Sequence, residues 1–228
     1  MGYVAHKETV DVSPATRYRI ELVADDQAES PREWDNVAEM WCWHRRYNLG
    51  DRKPRYSEDF AASADGIREL IEDQGDEVLA IRPLFLYDHS GITISTKPFS
   101  CRWDSGQVGW VFVRASKADS EGKSGDRAWA EAMIEGEVET YDQFLRGDVY
   151  GYRLFRETLD VDGEVEDDDE LASCWGFYGE DYCLSVARDE LAAIRRNTLR
   201  QRIERLKTMI RNAVPLAVRQ QQLGPAFA

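Results

Sequence analysis

Tyr87-Asp88-His89-Ser90-Gly91-Ile92-Thr93-Ile94-Ser95-Thr96-Lys97-Pro98-Phe99-Ser100-Cys101-Arg102-Trp103-Asp104-Ser105-Gly106-Gln107-Val108-Gly109-Trp110 is the stretch that decides the fold. It sets two turns, 88–91 and 98–106, between three runs of strand character, 77–87, 91–96 and 107–114. Asp, Ser, Gly and Pro at the interruptions supply the local hydrogen bonds and backbone freedom that turns need. Strand-like runs joined by such turns predict an antiparallel meander. The same turns concentrate reactive side chains, and loops held by a rigid sheet are where binding groups tend to sit.

Working outward, Tyr18, Ile20 and Leu22 alternate with Arg19 and Glu21, which predicts a strand over 17–23. Ser30 as N-cap, Pro31 at the first helical position and Glu33 as the capping-box partner predict a helix over 30–47, stopping near Gly50. Its inward face would carry Trp34, Val37, Trp41 and His44. A second helix is expected over 57–74, with Phe60, Ile67, Leu70 and Ile71 on its apolar side. Beyond the meander, 116–125 is polar and reads as a loop, and 126–145 as a helix ended by Gly147. A strand over 148–157, an acidic turn or mobile tip around Asp162-Gly163, and a strand over 171–178 follow. A long helix is expected over 181–212, where Leu199, Ile203, Leu206 and Ile210 make a narrow apolar seam. The predicted fold class is α+β: a mostly antiparallel sheet with helices packed on one face and a long C-terminal helix.

The 43 Asp and Glu against 29 Lys and Arg give a formal charge of -14, unevenly spread. Residues 188–219 hold nine Lys/Arg and three Asp/Glu, whereas 157–170 hold nine carboxylates in fourteen residues. That contrast divides the chain into an acidic α+β domain, 1–187, and a basic helix and tail, 188–228. The basic part is expected to pack on the same domain or to join two copies as a homodimer. Arg195, Arg196, Arg200, Arg202, Arg205 and Arg211 are of the type that contacts nucleic acid. The field of so acidic a body opposes this, so no direct nucleic acid binding is expected. There is no apolar run of about 18 residues, hence no membrane span, and no apolar signal core near Met1. Cys42, Cys101, Cys174 and Cys183 form no CxxC pair, which suits reduced thiols in a cytoplasmic setting.

No catalytic or metal spacing stands out. Three histidines and four dispersed cysteines lack the pairing of structural zinc sites, and Asp160-Val161-Asp162-Gly163 does not fill a calcium loop. There is no glycine loop of the phosphate-cradling kind, so neither cofactor nor metal is expected. His44 on an apolar helix face reads as a core histidine. Asp88 and His89 are adjacent on an extended chain and point to opposite sides, so any orienting carboxylate must come from elsewhere, such as Asp104. If the two turns converge, His44 or His89 would serve as base, Cys101 or Ser105 as nucleophile, and Trp175 as a pocket wall for a nucleotide-like molecule.

Several longer strings complete the reading: Pro31 to Asn36, His44 to Asp51, Phe99 to Gly109, Glu139 to Leu145, Gly147 to Tyr152 and Ser173 to Gly179. With them the chain resembles a group of hypothetical proteins carried by bacteriophages, plasmids and integrated elements. The resemblance implies a small cytoplasmic accessory protein of a mobile element in a bacterial host, and assigns no catalytic residue. Together with the charge it makes a non-enzymatic inhibitor the leading expectation. Such a protein would imitate DNA and occupy the basic cleft of a nucleic-acid-handling defence complex, such as a CRISPR or restriction system. The carboxylates expected to engage it are Glu157, Asp160, Asp162, Glu164, Glu166, Asp167, Asp168, Asp169 and Glu170. The alternative is a small-ligand or nucleotide-binding protein, or a hydrolase, built on the turns around His89 and Asp104.

Overall fold

The computed structural model describes residues 3–51 and 63–213. In chain order its elements are β1 (Val4–Ser13), β2 (Thr16–Ala24), β3 (Glu39–Cys42), α1 (Ala64–Glu72), β4 (Val78–Asp88), β5 (Ile92–Ser95), β6 (Ser105–Arg114), α2 (Ala115–Ser120), α3 (Arg127–Leu145), β7 (Val149–Leu159), β8 (Val165–Tyr178) and α4 (Glu180–Ala213). The fold is α+β with antiparallel pairing and a long C-terminal helix, as the sequence predicts. The strands divide into two four-stranded sheets, ordered β1-β2-β7-β8 and β3-β6-β4-β5. The second sheet and its helices are inserted between β2 and β7, which lie side by side with Leu22 opposite Tyr152.

Alternation explains both layers. In the first sheet Tyr18, Ile20, Leu22, Tyr152 and Leu154 face α4, which buries Cys183, Ala187 and Leu191 against them. Its other face carries Arg19, Glu21, Arg153 and Glu157 around Phe155. In the second sheet Met40, Leu84, Val111 and Val113 pack on Ala130, Ile134 and Val138 of α3. The intervening Trp41, Ile81 and Phe112 pack on Ile67, Leu70 and Ile71 of α1. Burying a side chain of this size is worth about 1.5–3 kcal/mol, so these clusters carry the fold.

The helix expected over 30–47 does not form. Pro31–Glu33 is a single 3-10 turn capped by Ser30, after which the chain passes through bends at Trp34, Val37 and Ala38 into β3. Distant side chains take the hydrogen bonds that a helix would have made internally. Glu137 of α3 accepts from the backbone N–H of Val37 at 2.8 Å and of Ala38 at 3.2 Å. Asp51 accepts from Met40 N–H at 2.7 Å, and Arg32 donates to the Ala38 carbonyl at 2.7 Å. Capping chemistry started a turn and tertiary pairing ended it.

The meander is also corrected. β6 pairs with the far edge of β4 instead of with β5. The outward Ile94 N–H of β5 is taken at 2.8 Å by the Asp142 carboxylate of α3, which occupies the place of a third strand. The expected loop 116–125 begins as helix α2, because Asp76 accepts from Ser116 N–H and Ala118 is buried. Of the helix expected over 57–74, Ala64–Glu72 forms, capped by Ser63; Phe60 lies outside the described residues. The acidic segment is a tight turn at 160–164, and its remainder pairs with β7 as part of β8.

Beside β3, the Arg32 side chain is only 4% exposed and bonds Asp51 at 2.6 Å and Glu137 at 2.9 Å. Burial lowers its pKa, but these two carboxylates outweigh burial and hold it above the usual arginine value. Removing one partner from a buried ion cluster strands the other charges. Arg32→Leu should therefore lower unfolding stability by about 3–5 kcal/mol in urea titrations. The exposed Lys207→Ala change, which breaks a pair with Glu204, should leave the urea midpoint essentially unchanged.

Glu157 supplies a pH-dependent counterpart in the first sheet. Burial raises its pKa, but the guanidinium donors of Arg17 and Arg19 override this and hold it below the ordinary carboxylate range. A depressed native pKa means stability that is present above the unfolded value, about 4.3, and lost as the pH falls through the native value. Glu157→Gln should flatten that acid slope in pH-dependent denaturation while lowering stability at neutral pH.

Candidate functional site

Among the described residues a cleft of about 690 Å³ opens beside the start of β6. One wall is the loop Trp43-His44-Arg45-Arg46, and another is β6 from Ser105 to Trp110; Leu86 and Asp88 of β4 and the turn residues Trp103 and Asp104 complete it.

Two backbone constraints build this shape. Trp41 pairs with Trp110 and Cys42 with Gly109, and the strands approach so closely that a Cβ on Gly109 would lie 2.0 Å from the Trp41 carbonyl oxygen. One residue further, Trp43 N–H donates to the Val108 carbonyl at 2.7 Å. Val108 is the extra residue of a bulge, since Leu84 pairs with Gly109 and Phe85 with Gln107. Bulges redirect side chains at the edges of sites. The loop then returns to the body: Leu49 is buried, Gly50 donates to the Tyr141 hydroxyl at 3.1 Å, and Asp51 caps β3. Gly50 has φ +70 and a Cβ there would lie 2.5 Å from the Met40 oxygen, so only glycine closes the loop.

His44 sits in this loop, not on the apolar helix face expected for it. Its Nδ1 accepts from the N–H groups of Arg46 at 3.3 Å and Tyr47 at 3.2 Å, which places the ring proton on Nε2. The ring stacks on Tyr47 with centroids 5.0 Å apart. Across the cleft, Ser90 takes a left-handed φ of 59° in the 88–91 turn, and Asp88 N–H donates to the Asp104 carbonyl at 2.8 Å. That brings His89 Nδ1 to 3.4 Å from Asp104 Oδ2. Asp88 faces away from His89, as the extended chain requires, and takes Arg46 and the Tyr47 hydroxyl, the latter at 3.1 Å.

Cys101 Sγ lies 3.7 Å from the same Asp104 oxygen, and the Ser105 hydroxyl donates to the Cys101 carbonyl. His44, Asp104 and Ser105 thus line the cleft, with His89 and Cys101 in contact with Asp104 at its rim. Ser105 gives its proton to a backbone carbonyl, so no serine–histidine relay is assembled. Trp175 and Cys174 lie apart, in β8 of the other sheet, where the Trp175 ring covers Gly151. All four cysteines are free, and burial pushes the thiols of Cys42 and Cys183 up to about 12, away from nucleophilic use. Among the described residues no three His, Cys, Asp or Glu side chains gather as metal ligands.

The sequence reading missed Arg45, Arg46, Trp103 and Gln107 as cleft residues. The signal was the aromatic and basic run at 43–46, which the expected helix would have wound around its axis.

The acidic segment is less negative than its composition. Glu157 is only 2% exposed, enclosed by Arg17 and Arg19, so it cannot touch a partner, and its place in the expected interface is corrected. Asp168 pairs with Arg19 at 2.8 Å, Asp169 with Arg156, and Glu170 with Arg153 at 3.0 Å. Asp160 accepts from the N–H groups of Asp162 and Glu164, each at 2.9 Å, and closes the turn. Asp162, Glu164, Glu166 and Asp167 form no ion pair among the described residues. No helix of the described residues is long and apolar enough to cross a membrane. No family model, curated protein or solved structure matches the chain.

Proposed function

We propose that this chain is a ligand-binding protein whose cleft takes a planar, anionic small molecule of the nucleotide type. The observation that carries this reading is the pairing of three indoles, Trp43, Trp103 and Trp110, with Arg45 at one concavity. Indole faces stack on flat rings, and a guanidinium binds phosphate or carboxylate through a matched fork of donors. Trp103 is 96% exposed and Arg45 has no ion-pair partner among the described residues, so both are available to an incoming molecule. Gln107 adds an amide to the cleft wall, and Asp104 adds an acceptor for sugar or ring N–H groups. Within this reading the His89–Asp104 pair holds an imidazole at the rim, and the ligand's position relative to it decides whether binding leads to chemistry.

Titration with purine and pyrimidine nucleotides should quench tryptophan emission saturably, whereas ribose phosphate and inorganic phosphate should leave it unchanged. Arg45→Ala should weaken the best ligand by about 1.5–3 kcal/mol, the worth of a charged hydrogen bond. No response to any nucleotide would overturn the proposal.

A second reading, the acidic inhibitor, is favoured by one observation. β8 is an edge strand on which Glu166 and Asp167 are exposed, beside the exposed turn residue Glu164, and none of the three forms an ion pair among the described residues. A basic host protein captured by the tagged chain and released as salt rises would support it. Neutralising these three carboxylates should then abolish capture; undiminished capture would count against the strand as the contact surface.

A further inference from the structure

α4 is held to the body only along its first half. Cys183, Ala187 and Leu191 are buried, whereas every residue from 195 to 213 is exposed. At 1.5 Å per residue this exposed part is about 28 Å long, and only its base still touches the body, where the Arg195 guanidinium lies 5.8 Å from the Tyr18 ring centroid. The exposed part carries the seam Leu199, Ile203, Leu206 and Ile210, which remain 59, 42, 48 and 64% exposed. Four aliphatic side chains in 4-3-4 spacing on a free helix form the stripe that a partner helix covers in a coiled coil. A stripe so narrow does not match the broad apolar face of a membrane-surface helix.

The flanking charges identify the occupant. With Leu199 and Leu206 as d residues and Ile203 and Ile210 as a residues, the e positions are Arg200 and Lys207. The g positions are Arg195, Arg202 and Met209, and no acidic residue flanks the seam. The one carboxylate of this stretch, Glu204, is at an outer position and bonds Lys207 at 2.8 Å. Two copies of this helix would set arginine and lysine against each other on both sides, which is the arrangement that coiled coils use to reject self-pairing. Residues 214–228 contain no Asp or Glu and do not supply the missing charge. At its base the seam meets a cleft of about 630 Å³ lined by Val12, Tyr18 and Leu199, which extends the apolar surface onto the body.

We propose that residues 195–213 are one strand of a heterotypic coiled coil whose partner is an amphipathic helix with acidic residues flanking its own apolar seam. This surface is separate from the cleft and does not depend on its ligand.

The test uses the full chain and a designed three-heptad helix with Leu and Ile at its a and d positions and Glu at its e and g positions. Fluorescence anisotropy of the labelled peptide should report saturable binding. A peptide of identical composition with scrambled order, and a heptad peptide with Lys for Glu, should not bind. Leu206→Asn should weaken binding at least about tenfold, the scale of losing a central buried anchor, with an unchanged circular dichroism spectrum. The double change Arg200→Glu, Arg202→Glu should transfer preference to the Lys peptide. Equal binding of the scrambled peptide would overturn the proposal by reducing the contact to charge alone. Tighter binding of a DNA duplex than of the acidic helix would overturn it in favour of nucleic acid. A full chain that sediments as a dimer, and as a monomer after Leu206→Asn, would overturn it in favour of a second copy.

Discussion

The buried guanidinium of Arg32 is the constraint on which the second layer depends. It ties together four segments: the 3-10 turn at Pro31–Glu33, the approach to β3, the loop ending at Asp51, and α3 through Glu137. A charge so enclosed is tolerated only when its donors are used, and here the fork spends them on two carboxylates and a carbonyl. The carboxylates in turn accept from the backbone N–H groups of Val37, Ala38 and Met40. One cluster thus satisfies polar groups of an extended segment that has no sheet neighbour on that side. The cleft inherits its geometry from this arrangement, because Asp51 anchors the far end of the loop that carries His44, Arg45 and Arg46.

Charge elsewhere is arranged by the same principle of local neutralisation. The open face of the first sheet places Arg17, Arg19 and Arg153 beside the carboxylates of Glu157, Asp168 and Glu170, and Arg19 lies 3.9 Å over the Phe155 ring. An open sheet face would otherwise need a second apolar layer; a lattice of ion pairs over one aromatic ring serves in its place. The segment that looks most negative in composition is therefore partly a structural lattice, and only a few of its carboxylates face solvent unpaired.

The two surfaces left with unmatched chemistry are different in kind. The cleft is framed by a bulge, a glycine contact and an anchored loop, and it combines aromatic faces with cationic and carboxylate groups. The far half of α4 is an exposed helix whose apolar seam touches the body only at its base, beside Val12 and Tyr18. One suits a small molecule held in fixed geometry and the other a helical partner. Their separation on opposite sheets allows each to be occupied independently.

Local sequence determined much of the architecture. Alternation placed β2, β4, β5, β6 and β7 close to their true bounds, and Asp126 and Gly147 bracketed α3, because strand faces and helix ends are set by neighbours within a few residues. The spacing of Leu199, Ile203, Leu206 and Ile210 located the seam correctly, although not that it would stay uncovered. Tertiary structure decided what local patterns leave degenerate. Ser30-Pro31-Arg32-Glu33 has real capping chemistry, yet Glu137 and Asp51, far away in the chain, capture the backbone that a helix would use. Which edge of β4 receives β6 depended on Asp142 occupying the outer edge of β5. His89 found Asp104, and not its neighbour Asp88, because a left-handed Ser90 and a strand pairing between distant residues brought the two turns together. A side chain's period is written in the residues beside it, but its partner is fixed only when chain segments far apart in sequence compete for the same hydrogen bonds.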